Sequence, residues 1–374
     1  MAYEGREQPF RVGISGSYGG LNLGDEAILQ VIVSQLRRDF PVEITVFSRN
    51  PRDTLQRHQV DDAVPVREFS RSEILPQIQR LDLLILGGGG ILFDAEAKLY
   101  LREAMLAREQ NVPVVLFAVG AGPLNEPLVQ QAVRETLSEF ALLTVRERSA
   151  RHVLEAAGVD EEILITADPA LLLQSEPFPS EALERENLQG ERRLVGMSVR
   201  EPGSAAPDIS EEKYHGLLAD AADFMVDRFD AEVVLVPMER QVLDVQHSHA
   251  VVSKMLRPQR ATVLKGEYSP GQILTLMKRF EFAVGMRLHF LIFAALQGTP
   301  FVALPYASKV EGFLEDLGMQ MPPLQLVNAG RLIAHIDQSW DRRRSLKRRI
   351  EQAVPGLQAR SRRTHELLTQ ILRR

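Results

Sequence analysis

The sequence predicts an α/β protein with two facing doubly wound Rossmann-like domains and additional helices at the C-terminus. Three observations favour this fold class. Short apolar runs alternate with amphipathic segments along most of the chain, a polar segment at residues 174–193 separates two such series, and glycine-rich turns follow several runs. Alternation of this kind is typical of parallel sheets with right-handed crossover helices. We therefore expect two parallel sheets that face each other across a cleft.

The first series forms a predicted domain at residues 1–175, and residues 176–192 form the predicted linker. Each predicted strand is an apolar run of strand length, and each predicted helix has apolar residues at helical spacing. The strands are predicted at residues 10–15, 42–47, 81–86, 112–118 and 141–145. The helices are predicted at residues 25–39, 97–110, 126–139 and 149–157.

The second series forms a predicted domain at residues 193–340, followed by basic C-terminal helices at residues 341–374. The same two patterns identify its elements. The strands are predicted at residues 194–199, 232–236, 261–264, 282–285 and 301–304. The helices are predicted at residues 211–229, 240–256, 270–278 and from about Arg287 to Gly298.

Composition excludes several function classes. The 374 residues include no Cys, so a disulfide framework, a thiol nucleophile and a Cys-based metal site are excluded. Residues 1–9 are polar, and no apolar run reaches the ~18 residues that a membrane span needs, so we expect a cytoplasmic protein. The net charge of −6 argues against nucleic-acid binding. We predict no metal site and no cofactor, and the sequence leaves a homo-oligomer open.

The charge is unevenly distributed. Residues 341–374 contain eleven Lys/Arg against three Asp/Glu, a balance of +8, so the rest of the chain carries −14. The pattern predicts one or two amphipathic helices, broken near Pro355 and Gly356. The favoured interpretation is a solvated helical face that lies against the acidic body. The alternative is peripheral contact with anionic lipid at the inner face of the membrane, because clustered Lys/Arg gain ~1 kcal/mol each near such a surface.

The most informative segment lies at residues 285–300, where a short strand leads into an apolar helix. Arg287 and His289 open this helix, and Lys309 begins the next one after the following strand. Cationic side chains beside a helix N-terminus at the carboxyl edge of a parallel sheet attract anions. The alternative is a buried Arg–His pair that only caps a core helix.

The turns of the first half carry a second group of candidate residues. The turn after the first strand, residues 16–26, has no Lys for a phosphate loop, and its glycine spacing does not fit a dinucleotide fingerprint. We expect it to bind sugar hydroxyls through Asn22, Gly24, Asp25 and Glu26, although a generic turn capped by Asn22 or Asp25 is the alternative. The run that includes Gly88, Gly89 and Gly90 indicates close approach of a ligand or of the opposing domain, and we favour the ligand.

Two further arginines stand at predicted strand ends. Arg146 suits a clamp for a carboxylate or a phosphate, although a structural salt bridge with Glu147 fits the spacing equally well. Arg200 repeats this placement in the second half. The pair His247 and His249 suggests a metal site, but residues two apart on a helix face different directions, so surface histidines are favoured. His215 is also expected to lie on a helix face without a partner.

Together these motifs resemble those of the polysaccharide pyruvyl transferase family. The Gly-Met-Arg-Leu-His block with its downstream Lys is the most specific of them. The matching segments run in order along nearly the whole chain, at residues 18–29, 86–94, 144–149, 167–169, 198–200, 285–289 and 305–310. The resemblance implies a GT-B-like fold, in which the first domain serves the acceptor and the second the donor. It also implies that pyruvate moves from phosphoenolpyruvate onto a sugar as a cyclic ketal, with release of phosphate.

By the same resemblance, Arg146, His289 and Lys309 are functional positions. We expect His289 to act as general acid and base, Arg287 and Lys309 to hold the donor, and Arg146 to bind its carboxylate or phosphate from the other domain. The expected partners are phosphoenolpyruvate and a glycan or lipid-linked sugar. The alternatives are a GT-B glycosyltransferase or epimerase that uses a nucleotide-sugar, and a non-catalytic sugar-binding relative.

Overall fold

The structure, a computed structural model, describes residues 8–66, 68–201, 209–240, 244–304, 308–319 and 328–373. Contacts between Cα atoms divide the chain into two compact units. The first unit comprises Met1–Leu173 together with Leu357–Arg374, and the second comprises Gln174–Gly356. This division differs from the predicted domains, because the end of the basic tail belongs with the N-terminal half instead of standing apart.

The first unit contains an eight-stranded sheet in which every pairing is parallel. Its strands are β1 (Phe10–Ser15), β2 (Val42–Ser48), β3 (Asp62–Pro65), β4 (Leu83–Gly87), β5 (Gly90–Leu92), β6 (Val114–Ala121), β7 (Leu142–Val145) and β8 (Ile163–Ile165). The order is β3-β2-β1-β4-β6-β7-β8, and β5 pairs with β6. The connecting helices are α1 (Leu23–Asp39), α2 (Pro51–Arg57), α3 (Arg71–Ile78), α4 (Ala97–Glu109), α5 (Pro127–Leu137) and α6 (Arg148–Ala156).

The second unit contains a five-stranded parallel sheet with the order β11-β10-β9-β12-β13. Its strands are β9 (Arg193–Ser198), β10 (Ala231–Leu235), β11 (Ala261–Val263), β12 (Phe280–Gly285) and β13 (Phe301–Ala303). Its helices are α7 (Ser180–Arg185), α8 (Glu211–Phe229), α9 (Asp244–Lys254), α10 (Pro270–Met277), α11 (Leu288–Leu296), α12 (Ser308–Asp316) and α13 (Ala329–Asp341). α14 (Arg343–Leu372) then contributes residues to both units.

Both sheets have the composition that parallel sheets require. Their central strands are buried along almost their whole length, as the burial of all eight residues of β6 illustrates. Strands covered on both faces by helices are expected to be continuously apolar. Each unit therefore has its own core, of Leu, Ile, Val and Phe side chains between sheet and helices. The predicted α/β class with two Rossmann-like domains and C-terminal helices is confirmed.

One prediction about the connections was wrong. The predicted linker contains the short helix α7, and its role as a linker stays a prediction. The predicted break at Pro355 is absent, because α14 continues through it. A Pro inside a helix removes one hydrogen bond and costs ~3 kcal/mol. Pro355 and Gly356 lie on an exposed face, where water can solvate the freed carbonyl, and burial of Ile350, Val354 and Leu357 offsets the cost.

Candidate functional site

The candidate residues lie where parallel strands end. In the first unit, the turn before α1 follows β1, Gly88 and Gly89 follow β4, and Arg146 follows β7. In the second unit, Arg200 follows β9, and Arg287 follows β12. Because parallel strands end at a common edge, each group shares the ligand-binding edge of its sheet.

Asn22 is the N-cap residue of α1. Its side-chain oxygen accepts hydrogen bonds from the backbone N–H groups of Gly24, at 3.0 Å, and Asp25, at 3.5 Å. An Asn cap satisfies donors that the first helical turn leaves without partners, and an acid in that turn is stabilised by the helix dipole. The predicted capping role of Asn22 is confirmed, whereas contact of Asn22, Gly24 and Asp25 with a sugar stays a prediction.

Glu26 has a structural role. It is only 2% exposed, and one carboxylate oxygen accepts a hydrogen bond from the backbone N–H of Gly19 at 2.9 Å. The other oxygen lies 2.7 Å from Nε2 of the buried His58. Both oxygens are therefore engaged inside the protein, so the predicted contact between Glu26 and the acceptor is not supported. Glu26 instead holds the turn after β1 in place.

At two of the three candidate positions in the glycine run, a neighbouring helix leaves no room for a side chain. Gly88 and Gly89 have φ values of +70° and +77°, which side-chain-bearing residues rarely adopt. A Cβ on Gly88 would lie 2.1 Å from Ile28, and one on Gly89 would lie 2.8 Å from the Asp25 carboxylate. The close neighbour of both glycines is therefore α1 of the same unit. Gly90 differs, since it is exposed and a Cβ there would meet nothing closer than 3.6 Å.

Arg146 lies in a buried cluster of charges. Its Nε donates to Glu147 at 2.8 Å, and its Nη1 donates to Asp168, also at 2.8 Å. Burial alone would lower the pKa of Arg146, but the two carboxylates raise it above its usual value. The structural salt bridge with Glu147 is thus present, and the residue is only 4% exposed. Gly120 is needed for this cluster, because a Cβ there would lie 2.8 Å from Nη2 of Arg146.

Arg287 is the N-cap residue of α11, and two acids contact its guanidinium. Its Nε and Nη2 donate to the two carboxylate oxygens of Asp244, at 3.1 Å and 2.5 Å. Glu239 lies 3.0 Å from the same Nη2. Asp244 is completely buried and also accepts hydrogen bonds from the backbone N–H groups of Met238 and Glu239. A paired, bidentate geometry of this kind fixes the orientation of the guanidinium plane.

His289 and Lys309 begin neighbouring helices. His289 is the second residue of α11, Lys309 is the second residue of α12, and both side chains are half-buried. Because β12 and β13 are hydrogen-bonded neighbours, α11 and α12 start at the same edge of the sheet. The structure therefore supports the prediction that Arg287, His289 and Lys309 lie at the same edge of the sheet.

A buried tyrosine connects two of the strand-end loops. Tyr214, on α8, is fully buried, and its hydroxyl contacts the sulfur of Met286, the residue before Arg287. Burial raises the pKa of this phenol, and the neighbouring backbone of Arg200 opposes that shift. The Arg200 side chain is half-buried and forms an ion pair with Glu201. Arg200 and Arg287 thus belong to one cluster at the carboxyl edge of the second sheet.

The histidines of α8 and α9 do not lie where the sequence suggested. His215 and His247 are both buried, and Nε2 of His215 is hydrogen-bonded to Nδ1 of His247 at 2.8 Å. The prediction that both lie on the surface without partners was wrong, because the two helices pack against each other. His249 is exposed as predicted. In the part of the chain that the structure describes, no three His, Asp or Glu residues form a potential metal site.

The sequence identified the arginines and one partner, Glu147, and missed the other acids that bind them. Asp168 belongs to one of the matched segments, at residues 167–169, but it was given no role. Asp244 and His58 had no recognisable motif. The matched segment was the signal that could have revealed Asp168, whereas Asp244 resembles any acid in the first turn of a helix.

Solved structures with the same fold include a glycosyltransferase and UDP-GlcNAc 2-epimerases. A glycosyltransferase from Rickettsia africae ESF-5 superposes with a TM-score of 0.65 at 12% identity, covering 98% of this chain and 99% of that chain. The UDP-GlcNAc 2-epimerase from Neisseria meningitidis, solved with UDP-GlcNAc bound, gives a TM-score of 0.62 at 10% identity, covering 96% of this chain and 99% of that chain. At such identities the likeness establishes the GT-B-like fold and leaves function open.

Comparison of sequences identifies the protein family, which the fold alone leaves open. The amylovoran biosynthesis protein AmsJ of Erwinia amylovora is 21% identical over 291 residues, which are 74% of this chain and 70% of AmsJ. The family model for polysaccharide pyruvyl transferase matches residues 22–308, which include Asn22, Arg146, Arg287 and His289. The chain therefore belongs to the polysaccharide pyruvyl transferase family, enzymes that transfer pyruvate in polysaccharide biosynthesis.

Proposed function

We propose that this enzyme transfers pyruvate from phosphoenolpyruvate onto a sugar of a polysaccharide or a lipid-linked glycan, forming a cyclic ketal and releasing phosphate. The observation that carries the proposal is the cationic edge of the second unit. Arg287, His289 and Lys309 begin two helices that start beside neighbouring strands, and Arg200 lies in the same strand-end cluster.

The charge of the proposed donor suits this edge. Phosphoenolpyruvate carries a phosphate of about −1.5 to −2 and a carboxylate. Asp244 and Glu239 together offset the charge of Arg287, so Arg287 contributes orientation and hydrogen-bond donors instead of net charge. Arg200 is likewise paired with Glu201, so Lys309 and the N-terminus of α11 supply the positive potential.

The proposed reaction needs a group that can give and take a proton. A proton is added to C3 of the enol phosphate, and C2 becomes electrophilic. One sugar hydroxyl adds to C2 and loses its proton. A second hydroxyl then displaces the phosphate, which leaves with the electrons of the C2–O bond, and the proton of this second hydroxyl is taken up by the departing phosphate or by the base. His289 is the candidate for the proton transfers, because an imidazole titrates near neutrality.

The first unit is the proposed acceptor side. Asn22, Asp25 and Gly90 lie at the carboxyl edge of its sheet, where carboxylate and amide oxygens can accept hydrogen bonds from sugar hydroxyls. Arg146 is assigned a supporting role, because Glu147 and Asp168 already bind it. AmsJ is named for the biosynthesis of amylovoran, which supports a polymer or its precursor as the acceptor class.

The test of His289 is its replacement by Ala. General acid–base catalysis contributes about 100-fold to 10,000-fold, so His289→Ala should lower kcat by at least about 100-fold and leave the binding of phosphoenolpyruvate within several-fold. The measurement is phosphate release from phosphoenolpyruvate with a panel of free and lipid-linked sugars. His152→Ala, at an exposed position on α6, is the matched control and should keep full activity. Near-normal turnover by His289→Ala would remove His289 from the mechanism.

A ligand titration separates this proposal from its alternatives. The shared fold also suits a nucleotide-sugar donor, whose diphosphate would bind the same cations. Thermal shifts with phosphoenolpyruvate should exceed those with UDP or UDP-GlcNAc at equal concentration. The reverse order would favour a glycosyltransferase or an epimerase, and a response to sugars without any phosphate release would indicate a non-catalytic relative.

A further inference from the structure

A buried pair of imidazoles lies one helical turn from the proposed donor site. His215 on α8 and His247 on α9 are 7% and 5% exposed, and their nitrogens are 2.8 Å apart. One nitrogen of this hydrogen bond must donate and the other must accept. In the described ranges the remaining nitrogen of His247, Nε2, is buried and has no hydrogen-bond partner.

The position of the proton in this hydrogen bond determines whether Nε2 of His247 is a donor or an acceptor. If Nε2 of His215 donates to Nδ1 of His247, the proton of His247 resides on its own Nε2, which becomes a buried donor without an acceptor. Leaving such a donor without an acceptor costs free energy, so native structures rarely contain one without a functional reason. An oxygen of a bound anion would satisfy it.

The position of the pair connects it to Arg287. Asp244 lies one turn before His247 on α9 and binds the Arg287 guanidinium. Tyr214 precedes His215 on α8, and its hydroxyl contacts Met286, the residue before Arg287. Both helices that carry the histidines therefore touch the strand-end loop of Arg287.

We propose that His247 is a further ligand-binding residue of the second unit, whose Nε2–H donates to an oxyanion of the bound donor beside Arg200 and Arg287. His215 is the positioning residue, because the proton of His247 must lie on Nε2 when Nε2–H of His215 donates to Nδ1 of His247. The identity of the anion as phosphoenolpyruvate rests on the proposed function. The assignment of His247 to an oxyanion site rests on the geometry of the buried histidine pair and not on the proposed function.

Charged groups around the histidine pair shift its pKa, so we expect ligand binding to depend on pH. They come from several elements: Glu211 on α8, Asp244 and Lys254 on α9, Arg200 after β9 and Arg287 before α11. Burial is the main cause of the lowered pKa of both histidines, and Arg200 and Arg287 lower that of His247 further, whereas Glu211 and Asp244 oppose them.

The sign of the proton linkage follows from these shifts. A lowered pKa keeps the pair uncharged near neutral pH in the free protein. A bound anion adds negative charge beside Nε2 and raises the pKa again. The protein should therefore take up a proton on binding at pH values between the free and bound pKa, and the uptake should fade at higher pH.

The test is calorimetric titration of the full chain with phosphoenolpyruvate and, separately, with inorganic phosphate. Two buffers of different ionisation enthalpy at pH 7 report the number of protons taken up, and a repeat at pH 8.5 reports its loss. His247→Phe should weaken binding by about 10-fold to 100-fold, the range expected for a lost hydrogen bond to a charged group. His247→Gln keeps a donor and cannot be protonated, so it should retain more affinity and lose the proton uptake.

A control variant and the pattern of binding distinguish failure of the His247 role from failure of the proposed function. His249→Gln, at an exposed position on the same helix, should bind and take up protons as the original chain does. Unchanged affinity and unchanged proton uptake in both His247 variants would overturn the role of His247. They would not contradict phosphoenolpyruvate as the donor substrate. Binding of phosphate but not of phosphoenolpyruvate by the original chain would reject the proposed donor, and binding of neither would reject both proposals. If His247→Phe does not fold, His247→Gln decides.

Discussion

At the scale of single residues, two of the candidate arginines, Arg146 and Arg287, are each held by an acid that the sequence did not single out. Asp168 binds Arg146, and Asp244 binds Arg287. A buried guanidinium without a paired carboxylate would be strongly unfavourable, so each acid is needed for its arginine to remain in place. The acid also restricts the rotamers of a long, flexible side chain, which reduces the entropy lost when a ligand binds.

The role of Asp244 can be tested by an isosteric change. Asp244→Asn should raise KM for phosphoenolpyruvate by about 10-fold or more, because a neutral amide cannot hold both guanidinium nitrogens of Arg287. Steady-state kinetics of the single variant, of Arg287→Lys and of the double variant measure the coupling. The double variant should be little worse than Arg287→Lys alone, since both changes disrupt the same contact.

Glu239→Gln is the matched control for Asp244→Asn. Glu239 also contacts Arg287, but its side chain is 17% exposed, whereas that of Asp244 is completely buried. Screening by solvent makes the more exposed pair weaker, so KM should change by less than about threefold. Equal effects of the two substitutions, or full additivity of Asp244→Asn and Arg287→Lys, would contradict a positioning role for Asp244.

Residue types alone could not reveal these partners. The strand-end arginines stand out because a cation directly after a buried strand is unusual, and the fold carries it to a known edge. His215 and His247 are 32 positions apart on two different helices, so only the packing of α8 against α9 shows that they meet. Short-range patterns contain no information about such pairs.

At the scale of elements, most strands and helices were predicted and several short ones were missed. The main strands and helices of both sheets lie within a few residues of their predicted positions. β3, β5 and β8, of three or four residues each, were missed, although the equally short β11 and β13 were predicted. α3 contains Pro76, which a sequence pattern treats as a helix breaker. The GT-B-like architecture could thus be predicted from the sequence, but not the full set of its edge elements.

The glycine turn after β4 gives a prediction that separates packing from ligand approach. Gly88→Ala should destabilise the first unit by roughly 2–4 kcal/mol, since a Cβ would clash with Ile28 and the backbone has positive φ. Gly90→Ala should leave stability within about 0.5 kcal/mol, because its Cβ would meet no close neighbour. Thermal unfolding of both variants measures this difference.

Gly90→Ala then tests the site with folding intact. If an acceptor sugar approaches the backbone at Gly90, the added methyl group should raise KM for the acceptor and leave KM for phosphoenolpyruvate unchanged. Unaltered kinetics would show that no ligand closely approaches Gly90, and that packing against α1 at Gly88 and Gly89 is the only identified requirement for glycine among these three positions.

At the scale of the whole molecule, the end of the basic tail, Leu357–Arg374, is a structural part of the first unit. Arg360 donates to the backbone carbonyl of Thr166, Ser361 donates to that of Asp168, and His365 lies 2.7 Å from the Asp39 carboxylate on α1. These contacts confirm the favoured interpretation that the tail packs against the body. They also connect α14 to Asp168, the acid that holds Arg146.

No helix within the described ranges is long and apolar enough to cross a bilayer. Peripheral contact with anionic lipid nevertheless stays a proposal, because several basic side chains of α14 point to solvent. Arg344, Arg348, Arg362 and Arg363 are exposed. Such residues could contact a lipid surface while the opposite face of the helix remains packed.

Truncation after Gly356 separates the structural role from the lipid role. It removes the buried side chains of Leu357, Leu368 and Leu372, whose burial contributes roughly 1.5–3 kcal/mol each as an upper estimate. That loss is comparable to the 5–15 kcal/mol that stabilises a typical domain. The truncated chain should therefore lose the thermal unfolding transition of the first unit, or fail to accumulate in soluble form.

The matched control removes charge without removing burial. The double variant Arg362→Gln, Arg363→Gln changes two exposed side chains and should unfold at the same temperature as the original chain. If the tail also binds lipid, this variant should sediment less with vesicles that contain anionic lipid and should keep its activity on a free sugar. A truncated chain that unfolds normally would show that α14 is dispensable for the first unit, because the leucines at its inner face would then contribute little to the core.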